Sequence, residues 1–98
     1  QTADAAGEGG VIQLTRVLAD EWAPDVRVNA LSTGYVKTPL VREAMDDREW
    51  YEAMRDGHML GRFGDPEEVA GAAVFLASEA ASYVTGTSVL IDGGYLVR

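Results

Sequence analysis

Val11, Leu14, Val17, Leu18 and Trp22 recur at three- and four-residue spacing, which is the apolar stripe of a helix. Ahead of Val11 stands "AAGEGG", a run of Ala, Gly and Glu with no chemistry evident. Pro24, in Ala23-Pro24-Asp25, ends the helix because it cannot continue the hydrogen-bond ladder. Residues 26–32, "VRVNALS", then alternate with Val26, Val28 and Ala30 on one face, and their β-branched members predict a strand. "TGYVKTPL" follows as a loop punctuated by Gly34 and Pro39.

Residues 41–56 are polar, with Val41, Met45, Trp50, Tyr51 and Met54 as sparse apolar positions, and predict two short helices or one broken helix. "GHMLGRFG" reads as a flexible connector. "DPEE" is a helix start, with Asp65 as N-cap, Pro66 at the first helical position and Glu68 completing a capping box. The helix over 66–77 is apolar or small nearly all round (Val69, Ala70, Ala72, Ala73, Val74, Phe75, Leu76, Ala77), so it expects burial on most sides. "SEAASYVTG" turns the chain, and "TSVLIDGG", residues 87–94, is a strand closed by glycines.

Two strands joined by a helical crossover imply a parallel βαβ unit. Such strands are covered on both faces in the folds that contain them, and two alone make a poor sheet. The pattern is that of one edge of a larger doubly wound α/β sheet.

The 98 residues set a limit of one domain, and 47% hydrophobic content is globular. A net charge of −8 argues against nucleic acid and anionic membrane surfaces as partners. The chain has no cysteine, which excludes disulfides and thiolate metal sites, and a single histidine, His58, is a poor basis for a zinc site. No apolar run approaches a membrane span and no signal peptide is visible, so the expected location is cytoplasmic. The first residue is Gln1, and the chain is read as a processed product or a piece of something longer.

Most candidate sites yield to plainer readings. Gly86 precedes a strand and Gly93-Gly94 lead only to the chain end, whereas a dinucleotide loop needs its glycines between a strand and a helix. Asp92 with Gly93-Gly94 reads as a strand-end turn. His58 in its glycine-rich connector reads as an exposed, solvated loop histidine. Asp46-Asp47 marks a helix start, and Glu67-Glu68 favours a helix N-terminus. Trp22, Trp50 and Tyr51 read as packing residues.

Three stretches, "VIQLTRVLADEWAPDVRVNALSTGYVKTPL", "LGRFGDPEEVAGAAVFLASEAASYVTG" and "LIDGGY", occur in order and at a spacing that closely resembles the C-terminal third of the short-chain dehydrogenases/reductases. The resemblance runs from Val11 to the end, with residues 1–10 as a divergent N-terminal segment. It implies part of a Rossmann-type domain, NAD or NADP as the cofactor of the complete fold, and a homo-oligomer. It also implies that a tyrosine and, four residues later, a lysine should stand at the start of the first helix. Counting back from "VIQLTR" places them at positions 4 and 8, where this chain has Asp4 and Glu8. A carboxylate at 8 raises the pKa of a neighbouring acid instead of lowering it, and Asp4 is too short and too acidic to replace a phenol near pH 7. None of Tyr35, Tyr51, Tyr83 and Tyr95 has a lysine four positions on, and Lys37 is the only lysine. No catalytic residue is therefore assigned, and no cofactor is expected to bind this chain alone.

The loop after the first strand is closer to the family pattern. The resemblance implies that Gly34, Val36 and Thr38 face the nicotinamide in a complete fold, with Thr38 hydrogen-bonding its carboxamide, although Thr33 replaces the family's proline. The plainer alternative for Thr38 is a hydroxyl that satisfies local backbone. Three functional readings follow: the C-terminal portion of an NAD(P)-dependent oxidoreductase, a non-catalytic interaction module that keeps the family's oligomerisation surface, and a truncated or altered product without activity. The expected partner is a second copy, through residues 66–77 and 87–94, or the complementary N-terminal portion.

Overall fold

The computed structural model describes the chain from residue 2 to residue 97, with side chains from residue 7 onward. The elements run α1 (Thr2–Trp22), β1 (Ala30–Thr33), α2 (Pro39–Ala44), α3 (Arg48–Asp56), α4 (Pro66–Ala77), a 3-10 turn at Glu79–Ala81 and β2 (Ser88–Ile91). β1 and β2 pair as a two-stranded parallel sheet within an α/β arrangement. The chain divides into two compact units, residues 1–32 with 72–90 and residues 33–71 with 91–98. No helix among the described residues is long and apolar enough to cross a membrane.

In the first unit, α1 begins at Thr2 and not at Val11. Gly7, Gly9 and Gly10 lie in its early turns with nothing within 4 Å of where a Cβ would stand. The stripe that announces this helix is not its packed face: Val11, Leu14, Val17 and Trp22 are 42–59% exposed. The packed face is Thr15 and Ala19, each 6% exposed, with Ile12 and Glu8 half-buried one and two turns earlier. The Thr15 hydroxyl donates to Val11 O at 2.7 Å, which settles a buried polar group within the helix. Small side chains let the chain approach closely here, and a Cβ on Gly86 (φ +78°) would touch Ala19 at 3.5 Å.

β1 starts four residues later than the alternation predicts, because residues 27–29 are tied to residues 78–87 largely through the side chains of Arg27, Asn29 and Thr85. Val28 N–H donates to Thr85 Oγ1 (3.1 Å), Asn29 Nδ2 to Val84 O (2.9 Å), and Thr87 N–H to Asn29 Oδ1 (3.2 Å). Arg27 adds bonds to Val84 O and Ser78 O at 3.2 and 3.4 Å. Regular pairing begins with Ala30 N–H donating to Thr87 O at 3.0 Å.

The second unit is built on rings. Phe63 is 1% exposed and stacks on Tyr35 at 5.4 Å and 25°. Tyr51 and Trp50 meet the same ring edge-on at 5.3 and 6.0 Å, as packing residues. His58 is not the solvated histidine its glycine-rich surroundings suggest: it is 1% exposed and lies 4.8 Å from the Tyr95 ring and 5.4 Å from Phe63. Its Nδ1 stands 2.7 Å from Met54 O, the geometry of an N–H···O bond to the last turn of α3. Of the three glycines that look like flexibility, Gly57 is a site of close approach, since a Cβ there would stand 3.0 Å from the Tyr95 ring.

The local chemistry of caps and turns is as the residues predict. Residues 41–56 fall into the end of α2 and all of α3, and Asp47 caps α3 by accepting from Trp50 N–H at 3.1 Å. Asp65 N–H donates to Glu68 Oε1 at 2.9 Å, one arm of the capping box. β2 is shorter than 87–94 because Asp92 leaves the ladder to organise a turn. Its carboxylate accepts from Gly94 N–H (2.9 Å) and Leu96 N–H (2.8 Å), with Gly93 and Gly94 at φ +60° and +84°. Glycine suits those left-handed positions.

No residue of α4 is buried: Val74 is 69% and Phe75 46% exposed, while Val69, Ala72 and Leu76 are half-covered. The buried hydrophobic residues among those described are Ala19, Phe63 and Ala81.

Candidate functional site

The two positions at which the resemblance expects a catalytic pair fare differently. The side chain of Asp4 lies outside the described residues. The Glu8 side chain is held on the sheet: Ser32 Oγ donates to Glu8 Oε1 at 2.7 Å and Ser88 Oγ reaches the same oxygen at 3.3 Å. The two serine oxygens are themselves 3.3 Å apart, and Ser32 is 8% exposed. A lysine presents donors only and an ionised carboxylate acceptors only, so this cluster inverts the hydrogen-bonding sense of the expected residue. Glu8 thus ties α1 to both strands. Ser32 and Ser88 escape a reading of motifs; the available signal is a small hydroxyl on each of two paired strands near a carboxylate.

The loop over residues 34–38 is ordered by its own unit. Gly34 N–H donates to Ile91 O at 3.3 Å, and a Cβ at Gly34 would stand 3.0 Å from Asp92 Cβ and 3.2 Å from its Cα. Glycine is required there by contact. Val36 forms an isolated parallel bridge with Gly64: Gly64 N–H donates to Tyr35 O and Lys37 N–H to Gly64 O, both at 2.9 Å. Thr38 N–H then turns back to Val36 O at 2.7 Å. The Thr38 hydroxyl accepts from Val41 N–H at 3.3 Å and caps α2, which opens at Pro39. The plainer reading of Thr38 is therefore realised, but a hydroxyl that accepts still has its hydrogen to donate. Gly34, Val36 and Thr38 are brought onto one continuous, internally bonded loop.

Beside this loop lies a charged cluster. Arg62 grips Glu68 as a fork, Nη1 to Oε1 at 2.8 Å and Nη2 to Oε2 at 2.9 Å. Lys37 Nζ stands 3.6 Å from Asp65 Oδ1. Hydrogen bonds from Arg62, and then from the Asp65 N–H, hold the Glu68 carboxyl down from 4.5 to about 2, and the same pairing raises Arg62. The acidic pairs are thus a cap (Asp47) and an ion pair (Glu68).

The chain matches the family model described as enoyl-(acyl carrier protein) reductase over residues 3–96. It is 53% identical over 93 residues to galactitol 2-dehydrogenase (L-tagatose-forming) of Cereibacter sphaeroides, a match that covers 94% of this chain and 37% of that protein. A crystal structure of a candidate 2-deoxy-D-gluconate 3-dehydrogenase from Agrobacterium tumefaciens, with NADP bound, superposes with a TM-score of 0.86 at 42% identity, covering 95% of this chain and 38% of that one. A short-chain dehydrogenase/reductase of the glucose/ribitol dehydrogenase type from Brucella melitensis superposes with a TM-score of 0.78 at 38% identity, over 92% and 36%. The chain therefore spans little more than a third of the length of its relatives.

The depressed Glu68 carboxyl sets a pH dependence. A group whose folded pKa is lowered stabilises the fold above its unfolded pKa, and that contribution is lost as pH falls through the folded value. The parent chain and Glu68→Gln should differ in urea midpoint by a constant amount between pH 7 and pH 5. The difference should shrink between about pH 4.5 and about pH 2, which a pH series of urea melts reads directly.

Proposed function

Because the chain belongs to the short-chain dehydrogenase/reductase family, we propose that it is the C-terminal portion of an NAD(P)-dependent oxidoreductase fold, which in a complete form that carries the tyrosine and lysine moves a hydride between the nicotinamide and an alcohol or carbonyl substrate. The NADP held by the Agrobacterium relative and the polyol named for the Cereibacter relative support that reading. The loop of Gly34, Val36 and Thr38 suits a nicotinamide: glycine lets backbone run close, and the Thr38 hydroxyl keeps a hydrogen to donate to a carbonyl oxygen. Position 8 does not suit the ribose that a lysine would hold, since the Glu8 carboxylate is turned to Ser32 and Ser88. The chain by itself is inactive on this reading.

The observation that carries the proposal is Glu8 anchored on two strand hydroxyls at the lysine position. Thr38 alone supplies about one hydrogen bond, worth ~1 kcal/mol net, against the ~8 kcal/mol that micromolar affinity needs. The purified 98-residue chain should show no turnover of NAD(P)H with ketone or polyol substrates, and calorimetry should show no saturable dinucleotide binding below millimolar concentration. Turnover well above blank, or a micromolar dissociation constant, would sink the reading.

A second reading, a non-catalytic module that associates with its own kind, is favoured by the outer surface of α4 and by Leu90 of β2, which is 41% exposed. Helices that are apolar on several sides pair with something. We propose a symmetric two-fold contact through residues 66–77 and 87–94, with the complementary N-terminal portion as the other occupant. Val74→Asp or Phe75→Asp should then reduce the sedimenting mass, and an assembly indifferent to both would refute the contact.

A further inference from the structure

We propose that Arg62 and Glu68 are positioning residues for Thr38, forming a clasp that fixes the 34–38 loop from within this chain; the role rests on the reading of Thr38 as the nicotinamide-facing hydroxyl. The bonds form a continuous path. The Arg62 guanidinium takes both Glu68 oxygens with its fork, and Nη1 also donates to Phe63 O at 3.2 Å. Glu68 Oε1 accepts in addition from Asp65 N–H at 2.9 Å. The backbone on either side of Gly64 is thus tied to one ion pair, on one side at Phe63 O and on the other at Asp65 N. Gly64 is the residue whose N–H and C=O grip Tyr35 and Lys37, at 2.9 Å each.

Thr38 follows Lys37 directly and its N–H returns to Val36 O at 2.7 Å, so the register of Gly64 reaches Thr38 from its N-terminal side, while Val41 N–H and Arg42 N–H hold it from α2. Other ties reach the loop: Lys37 Nζ to Asp65 at 3.6 Å, Arg42 Nε to Lys37 O at 3.2 Å, and the stack of Tyr35 on Phe63. The stack is apolar and fixes Tyr35. The clasp acts on the backbone around Gly64, which passes the register to Lys37, while Arg42 acts on Lys37 O itself. Arginine suits the task because its planar fork fixes direction as well as charge, which a lysine ammonium does not.

The test is residue-resolved amide exchange by NMR on the 98-residue chain and three variants. Glu68→Gln keeps an acceptor for Asp65 N–H but loses the charge, Arg62→Met removes the fork, and Arg62→Lys keeps the charge without it. The Lys37 and Gly64 amides report on the clasp. The Leu60 and Leu96 amides, bonded to Gly93 O and Asp92 Oδ2 in the same unit, serve as controls. Lys37 and Gly64 should exchange at least about threefold faster in Arg62→Met and Glu68→Gln, with Arg62→Lys intermediate and the controls unmoved. Unchanged rates at Lys37 and Gly64 would overturn the proposal. So would a rise shared equally by all four amides, the mark of general destabilisation, or an Arg62→Lys chain that behaves as Arg62→Met. No dinucleotide enters this experiment, so its failure removes the clasp and leaves the Thr38 reading standing, while failure of cofactor binding in a completed fold does the reverse.

Discussion

A parallel sheet must be covered on both faces and flanked at its edges, and two strands with the helices of this chain meet only part of that demand. The exposure pattern follows from this constraint. Apolar side chains that belong in an interior stand in water: Val11, Leu14 and Val17 along α1, and Val74 and Phe75 on α4. What the chain does bury is small or aromatic. Thr15 and Ala19 allow close approach, and Phe63 is enclosed by rings from Tyr35, Trp50, Tyr51 and His58. The chain spans 37% of the length of the Cereibacter relative.

Where apolar cover is thin, polar ties take over. Arg27, Asn29 and Thr85 stitch the approach to β1 onto the approach to β2. Asp92 closes the end of β2 through two backbone donors, and Glu8 joins α1 to both strands through Ser32 and Ser88. The chemistry divides along the same line. The loop of Gly34, Val36 and Thr38 is held by its own hydrogen bonds, and Glu8 is part of the scaffold.

Local signals were legible in the residues alone. Asp65-Pro66-Glu67-Glu68 predicts the start of α4 because cap and dipole act within one turn, and Asp92-Gly93-Gly94 predicts its turn because two glycines can take positive φ. Sparse apolar spacing over residues 41–56 predicts two short helices or one broken helix; two form, the first opening at Pro39 in the expected loop. Three features depend on distant partners and were not legible. The first residues of the expected strand bond through Asn29 and Thr85, far apart in sequence. α1 carries apolar residues on more than one side, and periodicity cannot say which side packs. His58 is buried by Tyr95 and Phe63, and Gly57 beside it marks a close contact with Tyr95 instead of flexibility. At the candidate site, the plainer reading of Thr38 as a hydroxyl that satisfies local backbone is legible, but the serines that bond Glu8 come from strands more than fifty residues apart.

The central claim is that the family fold persists in this chain while its chemistry is lost at positions 4 and 8. The direct measurement joins the chain to the N-terminal portion of galactitol 2-dehydrogenase, its 53% identical relative, and follows NAD(P)H absorbance with galactitol as substrate. The account predicts a folded hybrid without turnover as long as Asp4 and Glu8 are present, and turnover once Asp4→Tyr and Glu8→Lys are made together. Galactitol oxidation by the hybrid that retains both carboxylates would contradict it.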